Sequence, residues 1–225
     1  MNLKILLGSL ASTIIIGFLL LLFRPTMPCS HTSTMFYVPD SIPTTGHFCG
    51  YDDVHSKMSK QEIQLQNQLE QQLYSLLQKG SYASGLKALY TIPVVVHVVH
   101  NNGPGNIPNA QATAAIQHLN DAFANIGVYN PSTGVDVEVQ FCLAQRDPLG
   151  NATNGITNTV STLTNLNSNT QDLALKNLIR WNPLDYVNIW VVNNIQGGVA
   201  GYAYLPSSHG NNNDGIVLEA NYMGT

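Results

Sequence analysis

The chain has 225 residues, which is enough for one ordinary domain with additional segments. Charged residues make up only 10% of it, the net charge is −4, and no basic run follows the pattern of a nucleic-acid surface, so nucleic acid is excluded as an expected partner. The three cysteines are an odd number, which leaves at least one thiol without an internal partner or all three reduced.

An almost wholly apolar run over residues 5–23 lies near the start of the chain, between Lys4 and Arg24. A helix of about 20 apolar residues can cross a bilayer. The apolar region of a signal peptide is usually about 7–15 residues long and is followed by small residues at a cleavage site. We expect residues 1–24 to be a signal anchor, in preference to a cleaved signal peptide. In both cases the body of the protein is predicted to be secreted, or anchored to the membrane outside the cytoplasm.

Residues 25–89 are predicted to be a linker followed by a pro-segment, because their first part is rich in Pro, Thr, Ser and Gly without periodicity. Cys29 is interpreted as a linker cysteine. The pair Ser59 and Glu62 forms a capping box that opens a helix, and Gly80 stands where such a helix ends. Leucines repeat at helical spacing behind the capping box, and this apolar stripe needs a partner surface. The stripe consists of Leu65, Leu69, Leu73 and Leu76.

The apolar, β-branched run over residues 91–100 predicts one buried strand, which the turn residues Asn101–Gly105 end. A helix is predicted over residues 110–126, with Asn109 as its N-cap and Gly127 as its stop. The predicted buried stripe of this helix is Ala112, Ile116, Leu119, Phe123 and Ile126.

Further along, the alternation of apolar and polar residues over 135–144 predicts a half-buried strand. The polar stretch 147–170 is predicted to be a surface loop, and 172–179 a short helix. Three more strands are predicted, at 186–193, 199–204 and 214–220. The expected fold class is α/β (α+β), a twisted, mixed, mostly parallel five-stranded sheet with a backing helix and one antiparallel edge strand.

Local spacing shows no catalytic site. His97 and His100 could be taken for metal ligands. Side chains three residues apart on a strand point to opposite faces, however, so the two cannot bind one ion. We therefore interpret both as histidines satisfied in or beside the core. His118 and His209 have no partner at ligand spacing, and no zinc or nucleophile motif occurs.

Eight stretches, in order and at plausible spacing, resemble the pappalysin family of metzincin zinc peptidases, nearest to its secreted bacterial members. The resemblance spans about residues 90–225. The stretches are Ile92-Pro-Val-Val-Val-His-Val-Val-His100, Asn106-Ile-Pro, Gln117-His-Leu-Asn-Asp-Ala-Phe123, Val139-Gln-Phe-Cys-Leu-Ala-Gln-Arg-Asp-Pro148, Asn154-Gly-Ile156, Tyr186-Val-Asn-Ile-Trp190, Gly198-Val-Ala-Gly-Tyr202 and Asp214-Gly-Ile-Val217.

The resemblance implies a metzincin-like N-terminal subdomain over residues 90–225, zinc as cofactor of the complete enzyme, and a peptide or protein substrate. The family's zinc motif, H-E-x-x-H-x-x-G-x-x-H, is missing from this sequence. We therefore expect the chain to be inactive as given, with no catalytic residue of its own and no tightly bound zinc.

Two functional elements are implied by the same resemblance. The stretch His47-Phe-Cys-Gly-Tyr-Asp-Asp-Val-His55 is similar to the pro-segment of bacterial pappalysins, which implies that Cys49 acts as an inhibitory zinc ligand. The second element is the rim strand, which in metzincins binds an extended substrate as an added strand. The residues that would bind substrate in this way are Gly198, Val199, Ala200, Gly201 and Tyr202.

Two alternatives remain open at this point. A non-catalytic surface protein could keep the sheet without the zinc site, and an adhesive or carbohydrate-binding surface domain would have no relation to proteolysis.

Overall fold

The computed structural model describes residues 48–51, 56–78, 89–129, 134–204 and 208–224. The predicted signal or anchor segment 1–24 and most of the predicted linker therefore lie outside the described residues. Within the described part, no helix is long and apolar enough to cross a membrane.

The described elements begin with a short strand β1 (Phe48–Cys49) and a helix α1 (Lys60–Gln78). The long central strand β2 (Tyr90–His100) follows, and then helix α2 (Asn109–Phe123). The remaining elements are β3 (Val139–Leu143), β4 (Ile156–Val160), β5 (Asn165–Leu166), α3 (Ser168–Leu178), β6 (Val187–Val192), β7 (Asn194–Ile195), β8 (Val199–Ala203) and β9 (Ile216–Glu219).

The main sheet has the strand order β1-β8-β9-β6-β2-β3, and β4 also pairs with β2. Every pairing in it is parallel except that between β8 and β9. The predicted mixed, mostly parallel α/β sheet is thus confirmed. Two strands, β8 and the edge strand β1, run opposite to the others, where a single antiparallel edge strand was predicted. It contains seven strands within the described residues rather than five, because β1 and β4 also join it.

The central strand β2 is buried because it has neighbours on both sides and layers on both faces. One of its edges pairs with β6, and the other pairs with β3 along its first half and β4 along its second half. Its even-numbered valines Val94, Val96 and Val98 pack with α2 through Ala112 and Ile116. The opposite face packs with α3 and with two tryptophans, through Val95, Val99, Leu166, Leu175, Trp181, Trp190 and Val192.

The predicted strand 135–144 is wrong in its first half, because the ladder starts only at Val139. Glu138 has a φ of 59°, and its N–H is bonded to the Asp136 carboxylate, which bends the backbone out of the extended form. Val135 and Val137 are accordingly exposed, by 76% and 54%.

The predicted loop over residues 147–170 is also wrong, since it contains β4, β5 and the start of α3. β4 is a mostly polar strand, and its ladder with β2 runs from Val96–Ile156 to His100–Val160. Gly155 lets the chain return to β2, because a Cβ there would lie 2.6 Å from the Ala144 nitrogen, and its φ is 73°.

The two predicted long helices are confirmed with corrected ends. In α1 the capping box is present, with the Ser59 N–H donating to Glu62 Oε2 and the Glu62 N–H donating to Ser59 Oγ. The predicted stop at Gly80 lies outside the described residues. In α2 the N-cap is Pro108 rather than Asn109, and the helix ends at Phe123, short of the predicted 126. The correction leaves Ile126 outside the helix and 48% exposed.

Candidate functional site

The edge of the sheet at β8 is occupied by the strand that comes from the predicted pro-segment. β1 lies parallel to β8, with Phe48 opposite Val199 and Cys49 opposite Gly201. The Gly50 N–H donates a hydrogen bond to the Gly201 carbonyl at 2.8 Å. The outer side of β8 is therefore paired with a segment of the chain's own predicted pro-segment.

Gly50 allows this close approach. A Cβ at this position would lie 2.8 Å from Val199 Cγ1 and 3.2 Å from Tyr202 Cβ, distances too short for an ordinary side chain. Cys49, immediately before it, is exposed and is a free thiol. The pairing thus places an exposed thiol at the edge of the sheet.

The five residues predicted to bind substrate divide into two groups. Val199, Ala200, Gly201 and Tyr202 lie in β8, whereas Gly198 lies in the preceding turn with a φ of 76°. A Cβ on Gly201 would lie 2.5 Å from Leu218 Cδ2 and 2.8 Å from the Val217 carbonyl oxygen, both on β9. Position 201 therefore requires glycine because β9 leaves no room for a side chain. The prediction had given another reason for this glycine, the close approach of a substrate peptide.

A buried charged cluster that sequence reasoning missed lies beneath β8. Asp172 and Lys176, one turn apart on α3, form an ion pair with 2.9 Å between Oδ1 and Nζ, and Lys176 is fully buried. The Tyr202 hydroxyl donates to Asp172 Oδ1 at 2.6 Å, and the Tyr204 hydroxyl donates to Oδ2 at 3.2 Å. The Lys176 ammonium also donates to the Asn213 carbonyl at 2.7 Å.

The electrostatics of this cluster follow from its burial. Burial lowers the pKa of Lys176, and the charge of Asp172 acts in the opposite direction. Burial, followed by the charge of Asp172, raises the pKa of both Tyr202 and Tyr204, so both hydroxyls stay protonated as donors. The Lys176 ammonium also lies over the ring of Tyr204, 4.6 Å from its centroid.

A cleft of about 320 Å³ separates the start of α1 from α3, and one wall of it belongs to this cluster. On the α1 side the Lys57 ammonium reaches across to donate to the Asn169 side chain. The cleft is lined by Lys57, Met58, Glu62, Ser168, Asn169, Thr170, Asp172, Leu173, Tyr204 and Asn213.

His97 is a core histidine, as predicted. Its Nε2 lies 3.0 Å from Asn188 Oδ1, an oxygen that can only accept, so Nε2 carries the proton. Its Nδ1 then accepts from the Thr157 hydroxyl at 2.7 Å. Burial lowers the pKa of His97 to about 4, which keeps the ring neutral. Both ring nitrogens are used, so His97 has none left for a metal.

The other three histidines among the described residues do not assemble into a site. His100 Nδ1 accepts from the Asn102 N–H at 3.1 Å, and His209 Nδ1 lies 3.1 Å from Asp214 Oδ2 in a loop. His118 lies in α2. Among the described residues there is no group of three or more His, Cys, Asp or Glu side chains that could hold a metal ion. The described part of the chain therefore does not fit a zinc centre by itself. Of the other cysteines, Cys142 is disulfide-bonded.

The comparisons with known proteins give matches among solved structures. No family model and no curated protein matches the chain. Mirolysin in complex with compound 9 is 37% identical with a TM-score of 0.55, over 61% of this chain and 55% of that one. Mature mirolysin from Tannerella forsythia in complex with a cleaved peptide is 36% identical with the same TM-score and coverage. A promirolysin mutant from the same organism is 29% identical with a TM-score of 0.59, over 79% of this chain and 60% of that one.

The chain spans 55% to 60% of the length of these solved structures. The match with promirolysin covers more of this chain than the match with mature mirolysin, 79% against 61%. The likeness thus extends further in the pro-form than in the mature form. Over the part that it matches, the chain has the metzincin-like fold of mirolysin, a metallopeptidase.

Proposed function

We propose that the chain is the pro-segment and N-terminal subdomain of a zinc-dependent metalloendopeptidase of the pappalysin family. The observation that carries this proposal is the parallel pairing of β1 with β8, which covers the sheet edge and places a free thiol there. The likeness to both mirolysin and promirolysin supports a metallopeptidase zymogen over a surface-binding or adhesive protein. In this proposal residues 25–89 form the linker and pro-segment, and residues 90–225 form the subdomain.

The proposed substrate is an extended peptide that adds to β8 in place of β1. One side of β8 pairs with β9, and its other side pairs only briefly with β1, through Phe48 and Cys49. A two-residue pairing is easily exchanged, because main-chain hydrogen bonds of the same kind are available to any extended segment. The mirolysin structure that contains a cleaved peptide supports a peptide as the class of ligand.

Zinc is proposed for the complete enzyme, with Cys49 as an inhibitory ligand. A thiolate is a good zinc ligand, with a sulfur–metal distance of about 2.3 Å, and it can take the position that water needs in a catalytic site. The exposure of the Cys49 thiol at the sheet edge is compatible with this role. We further propose that the enzyme is secreted or anchored to the membrane through residues 5–23.

The experiment distinguishes the contribution of the Cys49 thiol to latency from that of strand β1. In the complete enzyme, with its pro-segment made resistant to processing, Cys49→Ala removes the sulfur and leaves Gly50 to pair with β8. Gly50→Val keeps the sulfur but places methyl groups against Val199, which displaces β1 from the edge. Both variants are expected to cleave a peptide substrate before processing, whereas the parent zymogen is expected to remain latent.

The outcomes identify which part of the proposal fails. If Cys49→Ala stays as latent as the parent while Gly50→Val is active, then the strand causes latency and the zinc–thiol role is wrong. If both variants remain latent although the processed enzyme is active, β1 does not control access to β8. If the processed enzyme shows no chelator-sensitive cleavage of any peptide, the assignment as a metallopeptidase is wrong.

A further inference from the structure

Burial of the ion pair between Asp172 and Lys176 costs free energy, because both charges are removed from water. Lys176 is fully buried and Asp172 is 7% exposed. A buried ion pair is commonly no more stabilising than apolar side chains of the same size, because both charges lose their hydration. Stability alone therefore does not account for a charged pair at this place in the core.

Among the described residues, the side-chain hydrogen bonds that Asp172 and Lys176 make outside α3 go to β8 and to the segment that follows it. Asp172 accepts from both Tyr202 in β8 and Tyr204 just beyond it. Lys176 donates to the carbonyl of Asn213, which lies shortly before β9. Tyr202 and Tyr204 are two residues apart, so both side chains leave the strand on the same face. The carboxylate thus holds one face of β8 at two successive positions.

The same strand segment carries the contact with the pro-segment. Gly201, next to Tyr202, accepts the hydrogen bond from Gly50. Asp172 and Tyr204 also line the cleft that faces the start of α1. The charged cluster therefore lies behind the part of β8 that receives an added strand.

We propose that Asp172 and Lys176 are positioning residues for β8, which set its backbone at the sheet edge so that it can pair with β1 or with a substrate peptide. This deepens the proposed function and rests on it for the role of the edge. The two residues act through Tyr202 and Tyr204, and they do not touch an added strand themselves.

The test is hydrogen exchange of backbone amides in the full chain. Tyr204→Phe removes one hydroxyl from the cluster and keeps the ring, and Asp172→Asn removes the charge but keeps an oxygen that can accept. Thr113→Val is the matched control, since it deletes an exposed hydroxyl that donates to the Asn109 carbonyl within α2, away from both β8 and β2. The amides of β8 and Gly50 report on the edge, and those of β2 report on global opening.

Loss of a hydrogen bond to a charged group corresponds to about a tenfold change in an equilibrium constant at the lower end of the usual range. We expect Tyr204→Phe to speed exchange in β8 and at Gly50 by about threefold to tenfold relative to β2, because its bond is long and only half-buried. Asp172→Asn is expected to have the larger effect. Thr113→Val should leave the ratio of the exchange rate in β8 to that in β2 unchanged.

A ratio of β8 to β2 exchange that is unchanged in both Tyr204→Phe and Asp172→Asn would overturn the positioning role. The result does not depend on proteolysis. If Gly50 is unprotected in the parent chain, the proposed docking of β1 is wrong, and the β8 amides still decide the role of the ion pair. If only Asp172→Asn fails to fold, the decision rests on Tyr204→Phe, whose ring preserves the packing.

Discussion

His97 is expected to make the stability of the chain fall steeply below about pH 6.5. The ring is fully buried, packed against Trp190 at 5.4 Å between centroids, and hydrogen-bonded at both nitrogens in its neutral form. Protonation would turn Nδ1 from an acceptor into a donor and would place a charge in the core. Burial accordingly lowers the pKa of His97 from 6.5 to about 4.

The sign and size of the effect follow from the two pKa values. In the unfolded chain the histidine takes up a proton near its ordinary pKa, whereas in the folded chain it resists protonation down to about pH 4. The unfolded state therefore binds more protons between these values, and stability falls as pH falls through this window. A difference of about 2.5 units corresponds to roughly 3 kcal/mol, a large part of the 5–15 kcal/mol that a domain usually has.

The measurement is denaturant unfolding of the full chain at a series of pH values from 7.5 to about 4, followed by the fluorescence of Trp181 and Trp190. His97→Gln is the matched control, because it keeps a hydrogen-bonding side chain that does not titrate. We expect the free energy of unfolding to fall by roughly 3 kcal/mol more in the parent than in the variant. Equal losses in both proteins would refute the reasoning, since the carboxylates that titrate in this range are common to both.

Three further predictions follow from the fold and the edge strand. Asn120→Ala is expected to lower the free energy of unfolding by about 2–4 kcal/mol in denaturant titrations, because the side chain bonds both the N–H and the carbonyl of Phe141; a loss below about 1 kcal/mol would contradict it. Gly201→Val is expected to disrupt the pairing of β8 with β9 through a clash with Leu218, seen as faster amide exchange in both strands, and unchanged exchange would count against it. The purified full chain is expected to cleave no protein substrate, because the sequence lacks the zinc motif; chelator-sensitive cleavage of casein would show that expectation to be wrong.

The parts of the fold that the sequence predicted well are those with a strong local pattern. β2 and β6 are continuous apolar, β-branched runs, and such runs predict buried parallel strands without any knowledge of their neighbours. β4 was missed because its Thr-Asn-Thr centre looks polar, and only its pairing with β2 makes it a strand. Asn120 is buried on α2 because it bonds the backbone of β3, and helical periodicity cannot predict such a partner.

The same contrast between local patterns and distant partners applies to the candidate site. The roles of the rim strand and of Cys49 were predicted by resemblance and remain predictions. The structure shows β1 beside β8, a pairing too short for any periodicity to predict. Asp172 and Lys176 have the spacing of an ordinary exposed ion pair on a helix. Their burial depends on tyrosines that come later in the sequence, at positions 202 and 204. The local sequence around Asp172 and Lys176 cannot predict this cluster, because the residues that complete it belong to other elements.

The position of β1 in the chain constrains the order of assembly during synthesis. Its residues leave the ribosome before any strand of the main sheet exists, yet the strand with which they pair begins only at residue 199. That strand is in turn held in the sheet by β9, at residues 216–219. The Cys49 thiol is therefore synthesised well before the strand beside which it lies. The contact between β1 and β8 can therefore form only after the chain has been synthesised beyond Gly201, long after β1 itself has left the ribosome.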